Sequence, residues 1–120
     1  MENQNPKKYD LEDRTLKFAQ AIRELIGKLP KTLVNLDDVK QLLKSSGSVG
    51  ANYIEANESL SKKDFVLRIK ICRKEAKESR YWLTLLNVNE AGELKVELEK
   101  FIQEATELMN IFGAIIRKSE

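Results

Sequence analysis

The chain has 120 residues, 42% hydrophobic and 33% charged, with a formal net charge of +2, the balance and length of one globular domain over residues 1–120. It holds no histidine, the commonest general base and metal ligand, and one cysteine, so no internal disulfide. No apolar run approaches the roughly 18 residues of a membrane span, and the polar start MENQNPKKYD lacks the apolar stretch of an export signal, so a cytoplasmic protein with no membrane partner is expected.

The first helix is expected over about residues 10–29. Leu11, Phe18, Ile22, Leu25, Ile26 and Leu29 recur at intervals of three and four, with Thr15 and Ala19 on or beside the same face. Asp10 is its expected N-cap, Asp13 suits the positive end of the dipole, and Pro30 stops it. The second helix is expected over 36–58, capped by Asn35, with Asp37 and Asp38 in its first turn. Its stripe reads Leu36, Val39, Leu43, Ser46, Gly50, Tyr53, Asn57 and Leu60, so the residues shrink midway.

SKKD, from Ser61 to Asp64, is a serine cap with an acid three residues on, and it opens a third helix over 62–87. Its core stripe is Phe65, Ile69, Cys72, Ala76, Ser79, Leu83 and Leu86, on which Cys72 reads as a core filler rather than a reactive thiol. NVNEAG, residues 87–92, breaks the pattern. The fourth helix, over 93–118, carries Leu94, Leu98, Phe101, Ala105, Leu108, Phe112 and Ile115, widened by Ile102, Met109 and Ile116. Four amphipathic helices with short links predict an all-α, antiparallel up-down four-helix bundle.

The stretch SSGSVGANYIEA, residues 45–56, is glycine-rich but lacks the Lys-Ser/Thr pair of a phosphate loop and follows no strand. Gly costs roughly 1 kcal/mol against Ala inside a helix. Ser46 with Gly50, and Gly47 with Ala51, therefore read as small ridges, one seating a helix of the same chain and the other a different subunit. Glu75 with Glu78, and Glu55 with Glu58, are spaced at three but lack the histidines of a di-iron bundle. No enzyme activity, cofactor or metal is expected.

SSGSVGANYIEA, followed by SKKDFVLRIKICRKEAKESRYWLTLL and preceded by YDLEDRTLKFA, resembles the 23S rRNA-intervening sequence protein family over roughly residues 9–118. Ser79 stands where the family pattern suggests Thr, which keeps the hydroxyl. The resemblance implies an up-down bundle that assembles as a ring-shaped homopentamer without catalytic activity. Some members are encoded within insertions in bacterial 23S rRNA genes. A related accessory protein of diversity-generating retroelements is a basic pentamer that binds nucleic acid.

Charge is unevenly spread: residues 62–87 hold eight bases and three acids, whereas residues 88–120 hold four bases and seven acids. Lys63, Lys70, Arg73, Lys74, Lys77 and Arg80 share one face of the third helix, either a phosphate-contacting strip for RNA or DNA or simply a solvated face. No aromatic residue interleaves them, so base-specific stacking is not expected. A further face carries Arg68, Ile71, Glu75, Glu78 and Trp82, read either as a subunit interface or as Trp82 packing beneath the 87–92 loop. Asn52 and Glu55 form either a buried polar network with Arg73, Lys74 or Arg14 as partners, or a solvent-exposed pair. The two functions these patterns support are a nucleic-acid-backbone-binding oligomer and a structural or adaptor oligomer for a protein partner.

Overall fold

Periodic apolar stripes become four α-helices: α1 (Pro6–Gly27), α2 (Leu33–Asn57), α3 (Lys62–Leu85) and α4 (Gly92–Ser119). The computed structural model describes residues 6–88 and 92–120, with side chains from Asp10 onward. Among these residues there is no strand. The polar residues 1–5, the side chain of Tyr9 at the start of the family-like opening, and residues 89–91 of the expected break lie outside them.

The backbone of α2 packs on α1 and α3, and that of α4 packs closely on α3 and more sparsely on α1, while the backbones of the diagonal pairs stay apart. Partners across each seam run in opposite order. They are Glu12–Asn57 and Thr15–Gly50 for α1/α2, and Ser45–Ser79 and Asn52–Arg68 for α2/α3. For α3/α4 they are Arg73–Gly113 and Arg80–Thr106, and for α1/α4 Arg14–Glu104 and Lys28–Glu97. Every neighbour is thus antiparallel, and the molecule measures 45 × 27 × 19 Å.

Ile22, Leu25, Leu42, Val49, Ile69, Leu83, Leu108 and Phe112 are wholly buried along the axis. Each large side chain contributes roughly 1.5–3 kcal/mol by leaving water. Cys72 lies among them, and burial pushes its thiol up to about 12, so it packs as a small hydrophobe.

The helix starts differ from the sequence expectation in two places. α1 reaches back to Pro6, so Asp10 lies inside it and does not cap it; proline suits a first turn because that N–H has no helical partner anyway. Thr32, not Asn35, caps α2, its side chain accepting from the Asn35 N–H at 3.1 Å. Asn35 is buried instead. Its Nδ2 donates to Pro30 O at 3.1 Å and Asn87 O at 3.0 Å, while its Oδ1 accepts from the Asn87 N–H at 3.1 Å. It ties the α1–α2 link to the end of α3. Ser61 caps α3 through the Asp64 N–H at 3.1 Å, the arrangement SKKD predicts. Gly92 opens α4 at φ 53, a backbone conformation that side-chain-bearing residues rarely adopt.

The inward face of α2 is rotated from the expected one. Its buried residues are Asn35, Asp38, Leu42, Ser45, Ser46, Val49, Tyr53 and Ala56, whereas Leu36 is 48% and Leu60 98% exposed. Gly50 keeps its place at the α1 contact. A Cβ there would stand 3.0 Å from Thr15 Oγ1 and 3.3 Å from Thr15 Cβ, tighter than side chains ordinarily pack, so Thr15 would have to give way to any residue larger than glycine.

Candidate nucleic-acid interface

α3 is gripped on two sides. Toward α2, Ser79 Oγ lies 2.9 Å from Ser45 Oγ, and Arg68 donates to Asn52 Oδ1 at 3.0 Å. Toward α4, Arg80 donates to Thr106 Oγ1 at 3.4 Å, and Arg73 lies over Gly113. The face between these contacts is solvent-exposed and basic.

The six bases of the expected strip separate on that face. Lys63, Lys70, Arg73, Lys74 and Lys77 are exposed and Arg80 is half-buried. Arg73, Lys77 and Arg80 follow one another at helical-turn spacing along the α4 side of α3. Lys70 faces Glu120 at 3.8 Å. Lys74 turns the other way, to Glu75 at 3.9 Å. Lys63 and Lys70 share a shallow surface depression of about 610 Å³ with Lys62, Asp64, Val66 and Leu67 at the start of α3.

Sequence reading missed Arg117. Its Nη1 lies 3.4 Å from where a Gly113 Cβ would stand, and Arg73 Nε lies 3.7 Å from the same point. The four-residue spacing from Gly113 to Arg117 was visible on one helix, but only the register of α4 against α3 sets Arg117 beside Arg73. Neither arginine forms an ion pair among the described residues.

The opposite side of α4 is chemically different. Arg14 of α1 donates to both oxygens of Glu104 at 2.7 and 2.8 Å, and to Glu107 at 2.8 Å. The Glu104 hydrogen bonds raise the Arg14 pKa further above its ordinary value. Hydrogen bonds from Gln103 and then Arg14 hold the Glu107 carboxyl below the usual range. Lys28 adds contacts to Glu97 at 3.2 Å. A groove of about 490 Å³ runs beneath these pairs, floored by Phe18, Ala21 and Phe101.

The expected packing and interface residues fall into three settings. Ser46 is buried with its hydroxyl 3.4 Å from Leu43 O of its own helix, and Gly50 lies under Thr15, so Gly50 is used between α2 and α1 of the same chain. Gly47 is half-buried beneath Arg23, whose Nη2 is 3.4 Å from the Cβ position, and Ala51 of the same ridge is exposed. Asn52 is half-buried and bonded to Ser48 O and Arg68; its partner is none of Arg73, Lys74 or Arg14, because α2 packs on the Arg68 side of α3. Glu55 and Glu78 are exposed, while Ile71 and Glu75 are half-buried. Burial, then the neighbouring Glu78, raises the Glu75 carboxyl above its ordinary value. Trp82 is half-buried against the core and meets Tyr81 edge-on, ring centroids 5.1 Å apart. Much of the 87–92 loop invoked as its alternative cover lies outside the described residues.

Among the described residues no group of His, Cys, Asp or Glu is placed to hold a metal ion, and no helix is long and apolar enough to cross a membrane.

A family model described as 23S rRNA-intervening sequence protein matches residues 7–114. Among solved structures, the chain is similar to a protein of unknown function from the S23 ribosomal protein family of Bacteroides thetaiotaomicron. The two share 34% identity over 92% of this chain and 98% of the other, with a TM-score of 0.74. No curated protein matches the chain.

Proposed function

The chain belongs to the 23S rRNA-intervening sequence protein family, and on that premise we propose that it is a non-enzymatic, self-associating four-helix bundle. It binds RNA or DNA through backbone phosphates along the basic face of α3. The observation that carries this reading is the charge imbalance of that face: Arg73 and Lys77 stand exposed with no ion-pair partner among the described residues, beside Arg80 on a neutral hydroxyl. Cations so placed attract phosphate even on a chain of near-neutral net charge. Self-association into a ring of five copies, akin to the basic pentamers of retroelement accessory proteins, is part of the same proposal. It would repeat the strip and multiply weak contacts into avidity. Leu33 at 86% and Leu60 at 98% exposure, with Leu67, Tyr81 and Leu85, supply apolar surface for such contacts. The cytoplasm is the proposed location.

Binding to single-stranded RNA and to duplex DNA, measured across a salt series with the particle mass read by light scattering, tests this. Affinity is expected to fall steeply with salt, by a log–log slope of about 0.7–0.9 per phosphate contact. Unchanged binding in the Lys70→Glu, Lys74→Glu, Lys77→Glu triple variant would remove the reading. The same exposed apolar side chains favour a second reading, an adaptor oligomer that grips a protein partner. Its signature is a defined partner on pull-down together with no salt-sensitive nucleic-acid binding.

A further inference from the structure

The bases of α3 are not equivalent, because two arginines from different helices meet at one point. Arg73 of α3 and Arg117 of α4 both lie over Gly113, with Nε and Nη1 3.7 and 3.4 Å from its Cβ position. Their nitrogens therefore stand within about 7 Å of each other, a separation at which like charges repel. No carboxylate pairs with either among the described residues: Glu120, just past the end of α4, faces Lys70 at 3.8 Å. Gly113 is buried and has no side chain, so nothing of its own fills the space beside the two guanidinium groups. Arg14 is the contrasting case, with its guanidinium closed by Glu104 and Glu107.

We propose that Arg73 and Arg117 form a discrete phosphate seat in the α3/α4 seam over Gly113, which holds one backbone phosphate of a bound nucleic-acid strand between two guanidinium groups. The oxyanion supplies the charge that the seam lacks, and a planar guanidinium can present two parallel N–H donors to it, which an ammonium cannot. Lys77 and Arg80, on the following turns of α3, then meet neighbouring phosphates as point charges and fix the direction of the strand along the seam. The inference rests on the nucleic-acid reading above but narrows it from a strip to a place, and it brings in Arg117, a residue of α4.

The test compares charge with geometry in the full-length chain. Arg73→Lys and Arg117→Lys keep the charge and remove the fork; Lys77→Gln removes a charge and leaves the fork. Each Arg→Lys change is expected to weaken oligonucleotide binding about tenfold, against about threefold or less for Lys77→Gln. All three side chains are exposed, so melting temperatures should stay close to wild type, and a large drop would mark an unfolded variant rather than a lost seat. Separately, inorganic pyrophosphate is titrated into the protein and the arginine Nε–Hε resonances are followed by NMR. Those of Arg73 and Arg117 should shift together and that of Arg14 should not. Oligonucleotide binding unchanged by both Arg→Lys variants would overturn the seat while leaving the strip intact. Arg73 and Arg117 shifts with pyrophosphate, in a protein that binds no oligonucleotide, would keep a phosphate seat and overturn the nucleic-acid reading. Oligonucleotides with and without a 5′-phosphate separate a backbone phosphate from a terminal one; equal affinity is expected, and binding only of the phosphorylated end would overturn the backbone assignment.

Discussion

α1 and α3 face each other across the bundle diagonal, and each is flanked by α2 and α4. α1 turns its polar groups inward to its neighbours: Thr15 fits against Gly50, and Arg14 closes on Glu104 and Glu107. α3 is held by an apolar stripe and short hydroxyl contacts, such as Ser79 on Ser45, and leaves most of its cations in water. The same residue type thus has opposite uses on two helices. An arginine matched by carboxylates fastens helices together, whereas an arginine left unmatched is available to a ligand.

The largest effect that would break this comparison is Gly50→Leu. Its side chain would have to displace Thr15 and the α1 backbone behind it, at a cost of about 3 kcal/mol. That lowers the melting temperature by roughly 10 °C in a domain of this size. The control, Gly47→Ala, meets only the mobile end of Arg23 at 3.4 Å and should be neutral or slightly stabilising through helix propensity. If both variants melt alike, the close α1–α2 contact is not what holds α1.

Next is the triple reversal of Lys70, Lys74 and Lys77 to Glu, which should weaken nucleic-acid binding by about 100-fold or more, roughly 2.7 kcal/mol, while the helical circular-dichroism signal persists. A folded variant that still binds would place the function elsewhere than on α3.

Arg14→Met is smaller. It leaves the half-exposed Glu104 without its cation and should cost about 1 kcal/mol, read as a shift in the urea midpoint. Its effect on nucleic-acid binding should be nil, since Arg14 lies on the other side of α4. The linked pH dependence has a definite sign. Glu107 has a lowered folded pKa, so its stabilising contribution is present above the unfolded carboxyl pKa and is lost as pH falls through the lower folded value. Wild type should therefore lose more stability than Arg14→Met on acidification below about pH 4.5.

The smallest effect concerns Glu75, whose folded pKa is raised. Its ionised form is disfavoured by folding, so the penalty is present at neutral pH and disappears below the unfolded carboxyl pKa. Glu75→Gln should raise the melting temperature slightly at pH 7 and not at pH 4. An equal gain at both pH values would point to packing rather than charge.

Three of the four inward faces were legible because local spacing alone defines them. Leu11, Phe18, Ile22 and Leu25 on α1, Ile69, Cys72, Ala76 and Leu83 on α3, and Leu98, Ala105, Leu108 and Phe112 on α4 are buried where the periodicity puts them. α2 was misread because apolar residues sit on both candidate faces, Leu42 beside Leu43, while the true inward face includes Asn35, Asp38 and Ser45. Asn35 is buried because Pro30 and Asn87 supply its hydrogen bonds, and no hydropathy pattern encodes partners 5 and 52 residues away.

The sequence by itself determined four amphipathic helices, the serine cap of α3, the burial of Cys72 and the concentration of positive charge on the third helix. Each follows from residues within a turn or two of one another, where the 3.6-residue period fixes which side chains are neighbours. Tertiary structure decided which bases are matched and which stay free. Arg14 meets Glu104 across 90 residues of chain, Arg68 meets Asn52, and Arg117 comes to Arg73 over Gly113. Those meetings depend on the axial register of one helix against the next. That register is set where α1 and α2 close on Gly50 and where the buried apolar side chains of all four helices interlock.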